Sequence, residues 1–258
     1  IYTLSLHDAL PILVDRDLGT MRAVIDTEGI DVVFNLATIA LNYSFFNPYT
    51  AYQVNVDIAE TLLRLLRDGA YRTLIHSSSS EAYGTARYSP MDEAHPLDPT
   101  TPYAAGKAAA DLMIQAFYKV YGLDVAIVRP FNNYGPRQND QALAAIIPLT
   151  ARRILTGEKP VLEGTGEQTR DFIFVKDTAR AFVMAYESEA TRGRIINLGS
   201  GKEISMKRLV ELIAGYFGYN GGIEYRPARP ADVSRLCASA ALADRKSTRL
   251  NSSHWLTS

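Results

Sequence analysis

Residues 31–36 (DVVFNL) and 124–129 (DVAIVR) are apolar at successive positions, and 71–76 carries Leu74 and Ile75 into a run of serines. Consecutive apolar positions predict strands covered on both faces, as in a parallel sheet. Between these runs the period changes. Met21, Val24 and Ile25 make a short helical stripe that Gly29 stops. Val54, Ile58, Leu62, Leu65 and Leu66 recur at helical spacing between Asn47-Pro48 and Gly69. Thr101 and Pro102 read as N-cap and first residue of a helix running to Tyr121-Gly122. Its Ala104, Ala105, Ala108 and Ala109 allow close packing. Leu13-Val14 would close an earlier strand. The alternation predicts an α/β fold with a doubly wound parallel sheet and ligands at the strand C-termini.

After Pro130 the pattern loosens. Asn132 to Pro136 reads as a turn-rich loop. A helix is expected over 142–156 and a hairpin-like stretch over 160–166. Asp177 reads as the cap of a helix to Glu187, 194–198 as a strand, and Ser205 as the cap of a helix to Phe217. No repeat or low-complexity linker appears.

Net charge changes the picture by exclusion. The chain has 258 residues, 47% hydrophobic and 21% charged, with a net charge of −1. Electrostatic binding to nucleic acid or an anionic membrane has no basis in that balance, and no stretch has the ~18–20 apolar residues of a membrane span. Cys237 alone cannot form an internal disulfide, which suits a reducing cytoplasm. His7, His76, His95 and His254 are scattered and make no metal signature. The two ends do not match the rest: 1–12 lacks the charged start of a signal peptide, and 245–258 is polar without period. Both read as non-native tails.

Chemistry concentrates in residues 77–107. Tyr103 and Lys107 lie one helical turn apart on one face. An ammonium beside a phenol stabilises phenolate, so the tyrosine can accept a proton near neutral pH. A serine hydroxyl from the strand end can hold the substrate oxygen. That set suits oxidation of an alcohol by hydride transfer to a cofactor.

Ser79, Tyr103 and Lys107 resemble the Ser/Thr-Tyr-Lys triad of the extended short-chain dehydrogenase/reductases, the NAD-dependent nucleotide-sugar epimerases and dehydratases. The segments DVVFNLAT, VNV, SSSSEAYG, PYAAGK, VRPFNNYGPRQ, GTGEQTRDFIFVKD and NLGSGKEIS follow in the family's order, so the resemblance runs from about Val14 to Asp244. It implies a Rossmann-like domain over 13–130 holding NAD. It implies a small substrate lobe over 131–244, with segments returning to the sheet. A nucleotide-diphosphate sugar substrate and a homodimer of the intact parent are implied as well.

The same resemblance assigns residues. Asp17 and Leu18 would lie beside the adenine, with a helix cap as the plainer role for Asp17. Ala37 would let the backbone approach the cofactor, Pro130 joins the cofactor-binding set, and Asn55 would support the active-site strand. Asn132 and Asn133 would donate to sugar or pyrophosphate oxygens, with a turn role as the alternative. Arg170 would grip the diphosphate, or else pair with Asp171. Arg229 would add a second phosphate contact, although Ala231 replaces the usual glycine.

Ser80 and Glu81, after the triad serine, bear on the reaction. A carboxylate at Glu81 can remove the C5 proton once C4 is a ketone, which points to a 4,6-dehydratase-like enzyme. A 4-epimerase, a UDP-glucuronate decarboxylase, a simple NADP-dependent carbonyl reductase and a non-catalytic NAD-binding scaffold stand as alternatives. The family's Gly-x-x-Gly-x-x-Gly turn does not occur in the 258 residues. Gly199-Ser200-Gly201-Lys202 is no substitute, since Ile196 and Glu203 break the phosphate-loop pattern. The expectation is a fragment lacking the first βαβ unit, and inactive as it stands.

Overall fold

The computed structural model describes residues 17–140 and 144–246. Leu13-Val14 and the tail 1–12 lie outside the described residues, as does 247–258. Arg245 and Lys246 end a helix.

Helix α1 (Leu18–Glu28) starts on Asp17, whose carboxylate accepts from the Thr20 N–H at 2.9 Å, and stops at Gly29 in the left-handed region. Strand β1 (Val32–Asn35) and a short helix α2 (Leu41–Ser44) follow. Helix α3 (Pro48–Arg67) opens on Pro48, β2 is Thr73–Ser77, and a 3-10 turn covers Ser80–Tyr83. Helix α4 (Pro102–Tyr121) is capped by the Thr101 hydroxyl on the Ala104 N–H and ended by Gly122. Then come β3 (Val125–Pro130), β4 (Asn132–Tyr134), α5 (Ile146–Leu155), β5 (Val161–Glu163) and β6 (Thr169–Phe174). The chain continues through α6 (Val175–Glu187), β7 (Ile195–Leu198), β8 (Glu203–Ser205), α7 (Met206–Tyr216), β9 (Glu224–Arg226) and α8 (Ala241–Lys246).

The main sheet is parallel in the order β1-β2-β3-β7, with Val33 opposite Leu74 and Ile75 opposite Ala126. Successive residues of one strand feed opposite cores, as the apolar runs require. Leu74, Val125 and Ile127 pack with Val54, Ile58, Leu62 and Ile114 of α3 and α4. Ile75, Ala126 and Val128 pack with Phe182 and Ala185 of α6 and with Ile196 and Leu198. At the α3–α4 contact, a Cβ on Gly106 would stand 2.9 Å from the Tyr52 carbonyl oxygen, so glycine sets how closely the two helices approach.

Three local expectations change. Asn132–Tyr134 is not a loop but a strand paired parallel to β6, which in turn runs antiparallel to β8. Residues 160–166 make no hairpin: β5 pairs in parallel with the distant β9. Asp177 sits in the first turn of α6, and Phe174 is its N-cap.

Candidate active site

Ala37, Ser79 and Pro130 lie at the C-terminal ends of β1, β2 and β3, three neighbouring parallel strands. This is the sheet edge at which ligands of open parallel sheets bind. Leaving β2, the chain turns at Ser79, whose hydroxyl caps the 3-10 turn by accepting from the Glu81 N–H at 3.2 Å. Gly84 closes that turn at φ 68°, where a Cβ would lie 2.0 Å from the Asp98 carbonyl oxygen. No side chain fits there.

Tyr103, Lys107 and Asp111 stand on successive turns of α4. The Tyr103 hydroxyl lies within interaction reach of the Ser79 and Thr38 hydroxyls. Lys107 is buried, and its Nζ donates to the Ser77 carbonyl oxygen at 2.9 Å. Burial lowers its pKa to about 8, while the Asp111 carboxylate works in the opposite direction. Burial raises the Tyr103 pKa, Glu81 and Asp111 add to the rise, and the Ser79 and Thr38 hydroxyls oppose it.

Asn55 serves a different strand from the one expected. Its Oδ1 accepts from the Thr38 hydroxyl at 2.7 Å and from the Ile39 N–H at 3.2 Å, so it fixes the segment after β1. That segment carries Ala37 and delivers Thr38 to Tyr103. Asp17 and Leu18 stand at the start of α1, with Asp17 engaged as its cap.

Ser80 is buried at 3% exposure, whereas Glu81 is half-buried. Burial raises the Glu81 pKa, and the charges of Arg170, Asp232 and Arg229 all reach it. Arg170 pairs not with Asp171 but with Asp232, at 2.8 Å. Arg229 contacts Glu163 at 2.8 Å, Asp232 at 3.5 Å and the Asn42 side chain at 3.3 Å. Asn132 donates to the Asp171 carbonyl at 3.3 Å. The Asn133 side-chain oxygen accepts from Thr178 at 2.6 Å, so Asn133 ties β4 to α6. The Gly199–Lys202 turn holds a carboxylate of the protein itself. Asp171 accepts from the N–H groups of Ser200 at 2.8 Å, Gly201 at 3.0 Å and Ala238 at 3.0 Å.

Several site residues had not been singled out. Asp232 gave no local signal, and Thr38 read only as one of the small residues with Ala37 after β1. Asp111 did, because it stands four residues after Lys107 on the same face. So did Arg129, a charge inside an apolar strand. Arg129 and Asp111 form a fully buried ion pair beneath the serine run. Among the described residues no group of three or more His, Cys, Asp or Glu could hold a metal ion, and no helix is long and apolar enough to cross a membrane.

The sequence profile of the NAD dependent epimerase/dehydratase family matches residues 9–199. A putative UDP-glucose 4-epimerase of Methanocaldococcus jannaschii is 33% identical over 223 residues, which cover 86% of this chain and 72% of that protein. Among solved structures, a dTDP-glucose 4,6-dehydratase from Streptomyces venezuelae with NAD bound superimposes with a TM-score of 0.84 at 28% identity. That match covers 90% of this chain and 71% of the other. A UDP-N-acetylglucosamine 4-epimerase from Methanobrevibacter ruminantium gives 0.81 at 35% identity, covering 90% and 74%. With its parallel sheet, the serine run at the end of β2 and Tyr103 and Lys107 on the helix beside it, this chain belongs to the NAD-dependent epimerase/dehydratase family.

Proposed function

We propose that the protein oxidises C4 of a nucleoside-diphosphate hexose and then works on the neighbouring carbon through Glu81, in a 4,6-dehydratase-like reaction. Glu81 is the observation that carries this reading. It is a half-buried carboxyl with a raised pKa, electrostatically coupled to both Tyr103 and the arginine pair.

The described residues fit the nicotinamide end of NAD. Lys107 has three donor hydrogens and gives one to Ser77, so the others can reach ribose hydroxyls. Ala37 and Pro130 flank it at the same sheet edge, and Asp17 and Leu18 remain assigned to the adenine end. NAD, when bound, supplies the acceptor for the C4 hydride. Ser79 holds the C4 oxygen and Tyr103 takes its proton. Arg170 and Arg229, with Asn132 and Asn133, hold the diphosphate sugar; Arg170 would exchange Asp232 for phosphate oxygens.

At the C4 ketone stage the C5 proton is acidic, and Glu81 removes it. With Ser80 buried, the same Glu81 proton passes to the departing C6 hydroxyl and water leaves; the hydride taken from C4 would then return to C6, and C5 would take a proton from solvent through Glu81. A plain 4-epimerase is the second reading, favoured by the epimerases among the similar proteins. The neighbouring hydroxyls of Ser79 and Tyr103 beside Lys107 favour an enzyme over a scaffold.

The test is turnover of dTDP- or UDP-hexose with NAD in deuterated water. The expected product is a 4-keto-6-deoxy sugar with solvent deuterium at C5. A product that is only the C4 epimer, free of deuterium, sinks the dehydratase reading, and carbon dioxide from a glucuronate substrate marks the decarboxylase instead. A homodimer belongs to the same proposal, supported by exposed Tyr49, Tyr52, Leu112 and Val120 on the adjoining helices α3 and α4. Sedimentation of the intact parent should then give twice the mass of one subunit, and a monomer at micromolar concentration would refute it.

A further inference from the structure

We propose that Asp111, held by Arg129, is a positioning residue: it seats α4 on the end of β2 and so fixes the place of Tyr103 and Lys107. The inference rests on the reaction proposed above for what those two groups do, but its geometry stands without it.

Three consecutive serines each meet one of three successive turns of α4. The Ser77 carbonyl accepts from Lys107 at 2.9 Å, the Ser78 hydroxyl donates to Asp111 Oδ2 at 2.5 Å, and Ser79 stands within reach of the Tyr103 hydroxyl. A helix free to slide would keep one such contact at the expense of another. Asp111 is held from behind by a buried cation. Its carboxylate takes the Arg129 guanidinium, which reaches the Ser78 hydroxyl at 3.4 Å and lies 4.2 Å above the Tyr83 ring. Tyr83 belongs to the 3-10 turn that carries Glu81, and its hydroxyl donates to the Asn197 side chain at 2.9 Å. One buried pair therefore joins β2, β3, α4 and the Glu81 turn, with β7 reached through Tyr83.

Stability alone does not account for the pair. Buried ions lose their hydration, and apolar residues of like volume often serve a core as well or better. What an ion pair adds is direction, since each partner accepts few geometries. Electrostatics adds a second effect. The charged and titratable groups facing Lys107 are Asp111 and Tyr103 on its own helix, His76 on β2 and Arg129 on β3. His76 is buried, and its Nδ1 bonds the Asn35 side chain at 2.9 Å. Burial chiefly, with Lys107 and Arg129, holds its pKa far below the usual value, so it is neutral. Asp111 is then the anion that supports the Lys107 ammonium against burial.

The experiment follows Lys107 by lysine-side-chain NMR through a pH titration of the full chain, with Tyr103 read by labelled-tyrosine NMR and assigned through Tyr103→Phe. In Asp111→Asn the Lys107 midpoint should fall by about one pH unit or more, and the Tyr103 resonance should move. Because that variant strands Arg129, the double variant Asp111→Asn/Arg129→Met is measured beside it; it should fold and show a fall in the same direction, made smaller by loss of the Arg129 cation. A Lys107 midpoint within 0.3 units (roughly the resolution of such a titration) of wild type in a folded variant overturns the proposal. Where turnover is measurable, kcat should drop about tenfold or more while KM holds within about twofold. Equal loss in both would overturn it too. Failure of the dehydratase reading would show in the wild-type product, as a C4 epimer free of deuterium, and leave the Lys107 shift intact.

Discussion

At the scale of single residues, the site is built from buried groups held away from their ordinary charge states. Lys107 is the clearest case. Its folded-state pKa of about 8 lies below the ordinary 10.5, with burial as the first cause. Between those two values the unfolded chain holds a proton that the folded chain has released. The unfolded state therefore binds more protons, and stability rises with pH across that window. Below pH 8 the ammonium inside the fold costs on the order of 3 kcal/mol. Lys107→Met removes that cost together with the bond to Ser77, itself worth about 1 kcal/mol. Urea unfolding at pH 7 and pH 10 should show wild type gaining on the variant as pH rises. A difference that stays constant between the two pH values would mean that Lys107 is not desolvated as described. The variant should also lose NAD-dependent turnover, since no ammonium remains to reach the ribose hydroxyls.

At the scale of elements, most of the framework could be read from the chain, and most of the exceptions share one cause. Gly29, Pro48, Thr101, Pro102 and Gly122 mark helix ends by their own backbone chemistry, and the structure uses each as read. The apolar strands were legible because both faces are covered, so no alternation was needed. What could not be read was any pairing whose partner is far along the chain. Asn132–Tyr134 has the composition of a turn and becomes a strand only because β6 lies beside it. Val161–Glu163 finds its partner at Glu224–Arg226, about sixty residues on. The serine run was legible as chemistry but not as architecture. Only the structure shows that Ser77 and Ser78 bond different turns of α4, with Ser79 facing a third. Asn55 was tied to the wrong strand for the same reason: its side chain reaches back to residues 38 and 39, which no local pattern predicts.

At the scale of the whole molecule, residues 229–239 act as a strap. They join the second half of the chain to the loop over the active-site turn. The Thr100 hydroxyl donates to the Ala231 carbonyl at 2.9 Å, and the N–H groups of Met91 and Ser239 bond Cys237 and Met91 carbonyls at 2.8 Å and 2.7 Å. Val233, Leu236 and Ala238 pack on Tyr83, Met91 and Phe131. The strap brings Asp232 between Arg170 and Arg229 and within electrostatic reach of Glu81. If the arginines grip a diphosphate, Asp232 competes with it twice, by occupying Arg170 and by repelling the phosphate oxygens. Asp232→Asn keeps the shape and removes the charge. It should tighten UDP or dTDP binding by roughly fivefold, about 1 kcal/mol, a partial relief of a charge–charge repulsion screened near the surface. Asp232 also helps to raise the Glu81 pKa, so the variant's Glu81 should ionise at lower pH. Calorimetry of UDP and dTDP binding reads the first effect, and the acidic limb of the pH–rate profile reads the second. Looser nucleotide binding in a variant with unchanged thermal unfolding would show that Arg170 needs Asp232 to hold its place, and would overturn the exchange of Asp232 for phosphate.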